Sequence, residues 1–183
     1  MSEIDTQSQE FAPREIVLRD GRSVFVREIR PSDSEALEAS VERLSSESRY
    51  ARFMSVMKTL PERMLEAATH PKQDREFALV ALDADGVGDD EGIVGGARYG
   101  SAPGSDECEF AVTVADTWQG CGLARRLMEI LIEVARSRGF ERMVGYVLTS
   151  NVSMRSLAKR LGFVDRACPD DPTLRIVTLQ LAG

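Results

Sequence analysis

Trp118-Gln119-Gly120-Cys121-Gly122-Leu123-Ala124 joins a predicted strand to a predicted helix. The preceding residues 107–114, Glu-Cys-Glu-Phe-Ala-Val-Thr-Val, are rich in the β-branched and aromatic types that strands favour. The following residues 125–137 carry apolar side chains at helical spacing. A helix start has unpaired N–H groups and a partial positive charge, and glycine lets a ligand approach that backbone closely. The stretch therefore suits an anion such as a pyrophosphate, and the alternative is an ordinary tight turn.

The elements around this stretch predict a mixed sheet. Asp20-Gly21 predicts a hairpin between strands 15–19 and 23–29. The strand–helix–strand order of 107–148 predicts a parallel pair with a right-handed crossover. The other predicted strands are 77–82, 92–99, 163–167 and 173–181. One further predicted helix ends at Arg43, and a second begins at Ser45–Ser48. Two more run from Pro61 to His70 and from Ser153 to Arg160. We expect an α/β (α+β) fold with a mostly antiparallel central sheet and helices on its faces.

The length of 183 residues is enough for one domain with a sizeable core. We expect residues 1–14 to form a flexible segment and residues 15–183 to form a single domain. No apolar run approaches the roughly 20 residues that span a bilayer, so no membrane partner is expected. The first residues lack the basic and apolar regions of a signal peptide, and three cysteines without metal-like spacing suggest reduced thiols. A cytoplasmic location without a metal follows as the expectation.

The net charge of −7 is unevenly distributed. Residues 1–91 hold 12 Lys/Arg and 20 Asp/Glu, whereas residues 92–183 hold 11 and 10. An acidic half favours cationic partners, although it also serves solubility alone. Because no basic stripe exists to neutralise phosphates, nucleic acid is not an expected partner.

Gln119-Gly120-Cys121-Gly122-Leu123-Ala124 resembles the Gln/Arg-x-x-Gly-x-Gly/Ala signature of the GNAT superfamily of acyl-CoA N-acetyltransferases. The context agrees, with a strand before the motif, a helix after it and Asn151 at the end of the next strand. Asn151 is followed by Leu157 and by Leu161-Gly162-Phe163 at the spacing of this superfamily. The resemblance covers about residues 22–181 and implies a GNAT fold, in which the parallel strand pair is splayed.

A narrower likeness points to the acetyltransferase domain of bacterial protein lysine acetyltransferases. The residues that carry it are Leu18-Arg19-Asp20-Gly21, Ile29-Arg30-Pro31-Ser32-Asp33, Leu44-Ser45-Ser46-Glu47-Ser48-Arg49-Tyr50 and Arg52-Phe53. In that group the domain is often fused to an acyl-CoA-synthetase-like or cyclic-nucleotide-binding region. We expect a stand-alone form here, with acetyl-CoA as co-substrate and a primary amine, most often a protein lysine, as acceptor.

The resemblance also implies a donor site. Backbone groups of Val112, Thr113 and Val114 would meet the pantetheine arm, and Asn151 would hydrogen-bond it where the parallel strands diverge. The pyrophosphate would lie on the loop formed by Gln119, Gly120, Cys121, Gly122, Leu123 and Ala124. Arg125 would add a phosphate contact, although an i,i+4 pair with Glu129 is the alternative.

Glu109 is the candidate general base. An ammonium with a pKa of about 10.4 must lose a proton before it attacks a thioester. Strand alternation places Glu109 with Glu107, Ala111 and Thr113 on one face, and partial burial there would raise its pKa. The lysine acetyltransferases that this chain resembles use a glutamate at this place. The alternative is a rim residue paired with a surface arginine.

Two features bear on the rest of the reaction. Many GNAT enzymes have a tyrosine general acid where this chain has Ala158, so the acid stays unassigned. Tyr50, Arg52 and Phe53 either line the acceptor groove or pack a helix on the sheet. Two alternatives to a protein lysine acetyltransferase stay open: an enzyme acting on small amines, and a non-catalytic module that binds acyl-CoA.

Overall fold

The computed structural model describes residues 11–86 and 92–183. Eight strands form one sheet: β1 (Arg14–Val17), β2 (Ser23–Glu28), β3 (Glu76–Asp83), β4 (Ile93–Gly100), β5 (Glu107–Val114), β6 (Arg142–Leu148), β7 (Val164–Ala167) and β8 (Leu174–Gln180). The helices are α1 (Ser34–Arg43), α2 (Ser46–Phe53), α3 (Glu62–Thr69), α4 (Leu123–Ser137) and α5 (Val152–Arg160). The first ten residues of the expected flexible segment lie outside the described residues.

The strand order in the sheet is β1-β2-β3-β4-β5-β6-β8-β7. All neighbours are antiparallel except β5 and β6, which α4 connects. The predicted mixed, mostly antiparallel sheet with one parallel pair is therefore confirmed. The predicted β1–β2 hairpin is also present, because its turn signal is local: Gly21 has the left-handed φ of +89° that this turn requires.

The core lies mainly between the sheet and α4. This helix buries an apolar stripe that includes Leu127, Met128 and Leu131, each fully inaccessible to solvent. Cys108 and Phe110 of β5 join the same cluster, so their face of the strand points toward α4. The opposite face of the sheet is covered by α1, α2 and α3. Helices therefore lie on both faces, as expected, and the two faces of β5 meet different helices.

None of the helices within the described residues is both long enough and apolar enough to cross a membrane.

Candidate active site

The parallel strands β5 and β6 separate after three residue pairs. Their ladder joins Glu107 to Arg142, Cys108 to Met143 and Glu109 to Val144, and stops there. Both strands continue on their other sides, since β5 pairs with β4 as far as Val114 and β6 pairs with β8 as far as Leu148. The result is a wedge between two ordered strands whose facing backbone groups no longer bond each other. The predicted splayed pair is thus present.

Phe110 lies at the point where the wedge opens. A Cβ atom at Gly145 of β6 would overlap Cε1 of the Phe110 ring, so the ring would have to shift. The ring also packs edge-on against Phe163, with 5.3 Å between the ring centroids. The absence of a side chain at Gly145 therefore gives Phe110 its place beside β6.

The glycine-bearing loop presents backbone rather than side chains. Gly120 and Gly122 have φ of +77° and +89°, in the left-handed region that favours glycine, and Gly122 is the N-cap of α4. The side chains of Cys121 and Leu123 are buried, and the Cys121 thiol donates to the Trp118 carbonyl at 2.8 Å. Only the backbone of these two residues can meet a ligand, which agrees with an anion held by N–H groups at a helix start.

The β1–β2 hairpin braces this loop, a contact that the sequence did not reveal. The Arg19 N–H donates to the Cys121 carbonyl at 3.3 Å, and the Arg19 guanidinium lies 3.5 Å from the Gly120 carbonyl. Arg22 donates to the Thr117 carbonyl at 3.1 Å and stacks 4.0 Å above the Trp118 ring. Both arginines place positive charge beside a loop suited to phosphate.

A second brace joins the loop to α2. The Asp116 carboxylate accepts hydrogen bonds from the Ser45 N–H at 2.9 Å and from the hydroxyls of Ser45 and Ser48, each at 2.8 Å. Burial opposes ionisation of Asp116, but these bonds outweigh it and hold its pKa below the usual value. The Gln119 amide donates to the Ser48 hydroxyl at 3.2 Å and to the Val114 carbonyl at 3.3 Å.

Two residues with predicted donor contacts also have partners inside the chain. The Arg125 guanidinium donates to Glu129 at 2.9 Å, so the i,i+4 alternative is formed, with the Arg125 side chain 54% exposed. The side-chain Oδ1 of Asn151 caps α5 by accepting the Met154 N–H at 3.1 Å. Both side chains keep N–H groups that these bonds do not use.

Glu109 lies at the narrow end of the wedge. As expected, its side chain lies on the opposite face of β5 from the buried side chains of Cys108 and Phe110. The expectation of partial burial was wrong, however, because the Glu109 side chain is exposed. The Glu109 side chain points away from the core beside α4. It lies on the sheet face that α1–α3 cover, at an end of β5 that these helices leave open to solvent. The neighbouring Glu107, rather than Glu109, forms a rim pair, with Arg142 at 2.5 Å.

A cavity of about 130 Å³ adjoins the Glu109 face of the sheet, beneath α1–α3. Arg98, Ala111 and Thr113 belong to its floor, and Arg52 and Phe53 of α2 belong to its wall. Two of the three residues proposed for an acceptor groove thus line a cavity, whereas Tyr50 is exposed and does not. The other apolar lining includes Leu37, Val41, Leu44, Leu60 and Met64.

Ala158 is fully buried in the core shared with α4. The Ala158 side chain therefore contacts packed core residues. Its methyl group cannot act as a general acid. His70 lies at the end of α3, with its ring Nδ1 3.0 Å from the Glu66 carbonyl. The His70 ring therefore caps the C-terminal end of α3.

Comparison with known proteins identifies the family. The model of the acetyltransferase (GNAT) family matches residues 40–163. Acetyltransferase PA5475 of Pseudomonas aeruginosa is 38% identical over 165 residues, which are 90% of this chain and 87% of that protein.

Solved structures agree with this match. The GNAT domain of S. lividans PAT superimposes with a TM-score of 0.83 at 26% identity, covering 97% of this chain and 99% of that one. The acetyltransferase yncA of Salmonella typhimurium, solved with its cofactor acetyl-CoA, shares the fold with a TM-score of 0.68 at 22% identity, covering 87% and 94%. The chain belongs to the GNAT family of acetyltransferases.

Proposed function

We propose that this protein transfers an acetyl group from acetyl-CoA to a primary amine by direct attack, with Glu109 as general base. The observation that carries the proposal is the wedge between β5 and β6, which has the glycine-bearing loop along its open side and Glu109 at its narrow end. Family membership and the acetyl-CoA bound by yncA support the choice of donor.

The donor would be held mainly by backbone. Val112, Thr113 and Val114 lie on β5 beyond the last pair with β6. The edge of this stretch that faces away from β4, apart from the Val114 carbonyl that accepts the Gln119 amide, is available to an amide-rich pantetheine arm. The loop from Gln119 to Ala124 would bind the pyrophosphate through N–H groups at the start of α4. Arg125 would add a contact through the N–H groups that do not donate to Glu129. Asn151 would add another through its side-chain NH2 group, since its bond to Met154 uses only Oδ1.

The chemistry needs one proton removed and one bond exchanged. The amine nitrogen attacks the thioester carbonyl carbon, the new C–N bond forms, and the C–S bond breaks with its electron pair on sulfur. Because Glu109 is exposed, it would pass the amine proton on to water. A cysteine-like thiol has a pKa near 8.5, so the thiolate can leave and take its proton from solvent.

The resemblance to protein lysine acetyltransferases makes a lysine ε-amine one acceptor class, and a small amine is the other. Mass spectrometry of a lysate treated with the purified protein and acetyl-CoA, beside a panel of small amines, separates them. Acetylated lysines above the level of chemical acetylation support the first class. CoA release only with small amines supports the second, and CoA binding without release on any acceptor contradicts the enzyme proposal.

Replacing Glu109 by Gln tests the base. Removal of a general base lowers kcat by about 10²-fold or more, because the amine must then lose its proton unaided. The measurement is CoA release at saturating acetyl-CoA over a range of pH. Glu107→Gln is the matched control, since Glu107 shares the strand and the face but is bound to Arg142. Full kcat in Glu109→Gln would remove Glu109 from the mechanism.

A further inference from the structure

Arg52 is a half-buried cation without an anionic partner. Its guanidinium lies 4.8 Å from the centroid of the Phe53 ring, a contact that satisfies none of its N–H groups. Burial first, and then repulsion by Arg98, lower the pKa of Arg52 to about 10, while Glu109 acts in the opposite direction. Among the described residues, none accepts a hydrogen bond from this guanidinium or forms an ion pair with it.

Arg98 places a second cation on the same cavity wall. Its nearest carboxylate oxygen, on Glu76, is 3.9 Å away, beyond hydrogen-bond range. Two cations that face one cavity repel each other, and partly desolvated charges are costly unless an opposite charge joins them. Glu76, at 3.9 Å from Arg98, and the more distant Glu109 offset this repulsion only in part, so an anion that entered the cavity would be favoured.

The register of the sheet places Glu109 beside these arginines. Arg98 of β4 lies opposite Ala111 of β5, and Glu109 is two residues before Ala111 on the same face. Diagonal neighbours of this kind are about 7–8 Å apart. Gly100 lies directly opposite Glu109, so no side chain covers that position from β4. The cavity edge thus carries negative charge on one side and positive charge on the other.

We propose that the acceptor is a small amino acid: a primary amine that also carries a carboxylate and an apolar side chain. This proposal rests on the proposed function and specifies its acceptor. The ammonium group would face Glu109, the carboxylate would pair with Arg52 and Arg98, and the apolar side chain would enter the cavity. A lysine ε-amine on a neutral aliphatic arm brings no anion for the two arginines.

The size of the cavity agrees with this acceptor. Apolar side chains from α1, α2 and α3 form most of its wall, and its volume is about 130 Å³. For comparison, an engineered apolar cavity of about 150 Å³ holds a benzene molecule. The space therefore accommodates one branched aliphatic side chain.

The test uses three acceptors that share a side chain: L-leucine, L-leucinamide and isoamylamine. With the full chain and saturating acetyl-CoA, CoA release should show a KM for leucine at least about tenfold below those of the other two, the size of a charge-assisted hydrogen bond. Leucinamide has an α-amine pKa near 8 and so holds more free base at pH 7 than leucine. A preference for leucine therefore reports recognition of the carboxylate.

Variants of the arginines complete the design. Arg52→Gln should raise the KM for leucine about tenfold or more and leave the KM for isoamylamine and for acetyl-CoA nearly unchanged. Arg52→Lys should give a KM for leucine between those of the wild type and Arg52→Gln, because the charge stays while the planar guanidinium is lost. Arg98→Gln gives an independent measurement should position 52 prove necessary for folding. Arg63→Gln, on the exposed side of α3, is the control that should change nothing.

Failure of the inference is distinguishable from failure of the proposed function. Equal KM values for leucine and leucinamide, or acetylation of protein lysines that Arg52→Gln leaves intact, would overturn the inference while acetyl transfer stands. No CoA release with any amine or lysate would overturn the proposed function. In that case calorimetry of leucine binding to the CoA-loaded protein decides the inference, and absence of binding overturns it.

Discussion

At the scale of single residues, the fork between β5 and β6 depends on one glycine and one phenylalanine. The Phe110 ring occupies the volume where a Cβ atom of residue 145 would stand. Interiors are packed as densely as organic crystals, so the ring can make room only by disturbing Phe163 and the core around it.

Gly145→Ala should therefore lower the free energy of unfolding by about 1–3 kcal/mol, as overpacking does in other cores. Urea denaturation measures the change. Gly100→Ala is the control, because the nearest atom to its new Cβ is Cγ of Glu76 at 3.8 Å, an ordinary contact. The double variant Phe110→Leu/Gly145→Ala should lose less than the two single losses combined. Strict additivity would show that the clash is absent in solution.

Residue-level features were predicted to different degrees. The left-handed glycines of the loop and the alternation of β5 follow from local pattern, and both are present. The exposure of Glu109 was not predicted, because alternation assigns a face but does not say whether a helix covers it. For Arg52 the sequence left two alternatives open, lining an acceptor groove or packing a helix on the sheet. Its charged neighbour Arg98 is 46 positions away in the sequence and gave no local signal.

At the scale of elements, α2 and the loop before α4 behave as one unit. The Asp116 carboxylate joins the start of α2 to residues 116–119, and α2 carries Arg52 at its other end. The sequence predicted the start of α2 from Ser45–Ser48, and the Ser45 hydroxyl does accept the Ser48 N–H at 3.1 Å. It could not predict that Ser45 and Ser48 also bind a carboxylate 71 and 68 positions away.

Replacing Asp116 by Ala should loosen this unit. Three hydrogen bonds disappear, at an exposed site where the loss of stability should be only about 1 kcal/mol. The larger effect should be kinetic: the KM for acetyl-CoA and the KM for the acceptor should rise together, each several-fold, because one brace positions both sites. Initial rates with both substrates varied provide the measurement. Asp170→Ala, in an exposed turn, should leave both values unchanged, and a rise in only one KM would contradict the coupling.

At the scale of the whole molecule, stability depends on pH through carboxylates that form ion pairs between neighbouring elements. The clearest case is Asp33, which is buried and receives two hydrogen bonds from Arg27, at 2.7 and 2.8 Å, and one from the Arg30 N–H. The Arg27 bonds lower the pKa of Asp33 more than burial raises it. Asp165 is similar: burial opposes its ionisation, but Arg155 and Arg175 hold its pKa below the usual value.

Acid should therefore destabilise the protein through Asp33. A carboxyl whose pKa is lowered in the folded state adds stability above its unfolded pKa of about 3.9, and that stability is lost as the pH falls through the folded value. At pH 7, Asp33→Asn should lower the free energy of unfolding by about 3 kcal/mol, since it leaves Arg27 buried without its charge partner. Below pH 4 the difference from wild type should shrink.

Urea denaturation at pH 7, 5, 4 and 3 follows this difference. Asp20→Asn removes an exposed pair with Arg22 and should have little effect at any pH. A deficit in Asp33→Asn that stays constant down to pH 3 would mean that Asp33 does not titrate with folding.

The overall architecture was the part most open to prediction, because hairpins and the β5–α4–β6 unit are encoded in adjacent residues. The braces by Arg19, Arg22 and Asp116 join segments 68 to 101 positions apart and have no local signal. Such contacts depend on the completed sheet, which brings the β1–β2 hairpin, α2 and the loop before α4 to one edge.

The fit between Phe110 and Gly145 also restricts how this protein can evolve. A side chain at position 145 costs less stability once position 110 has become smaller, so selection favours that order of change. The fork between the strands is then inherited as a coupled pair of residues rather than as two independent ones.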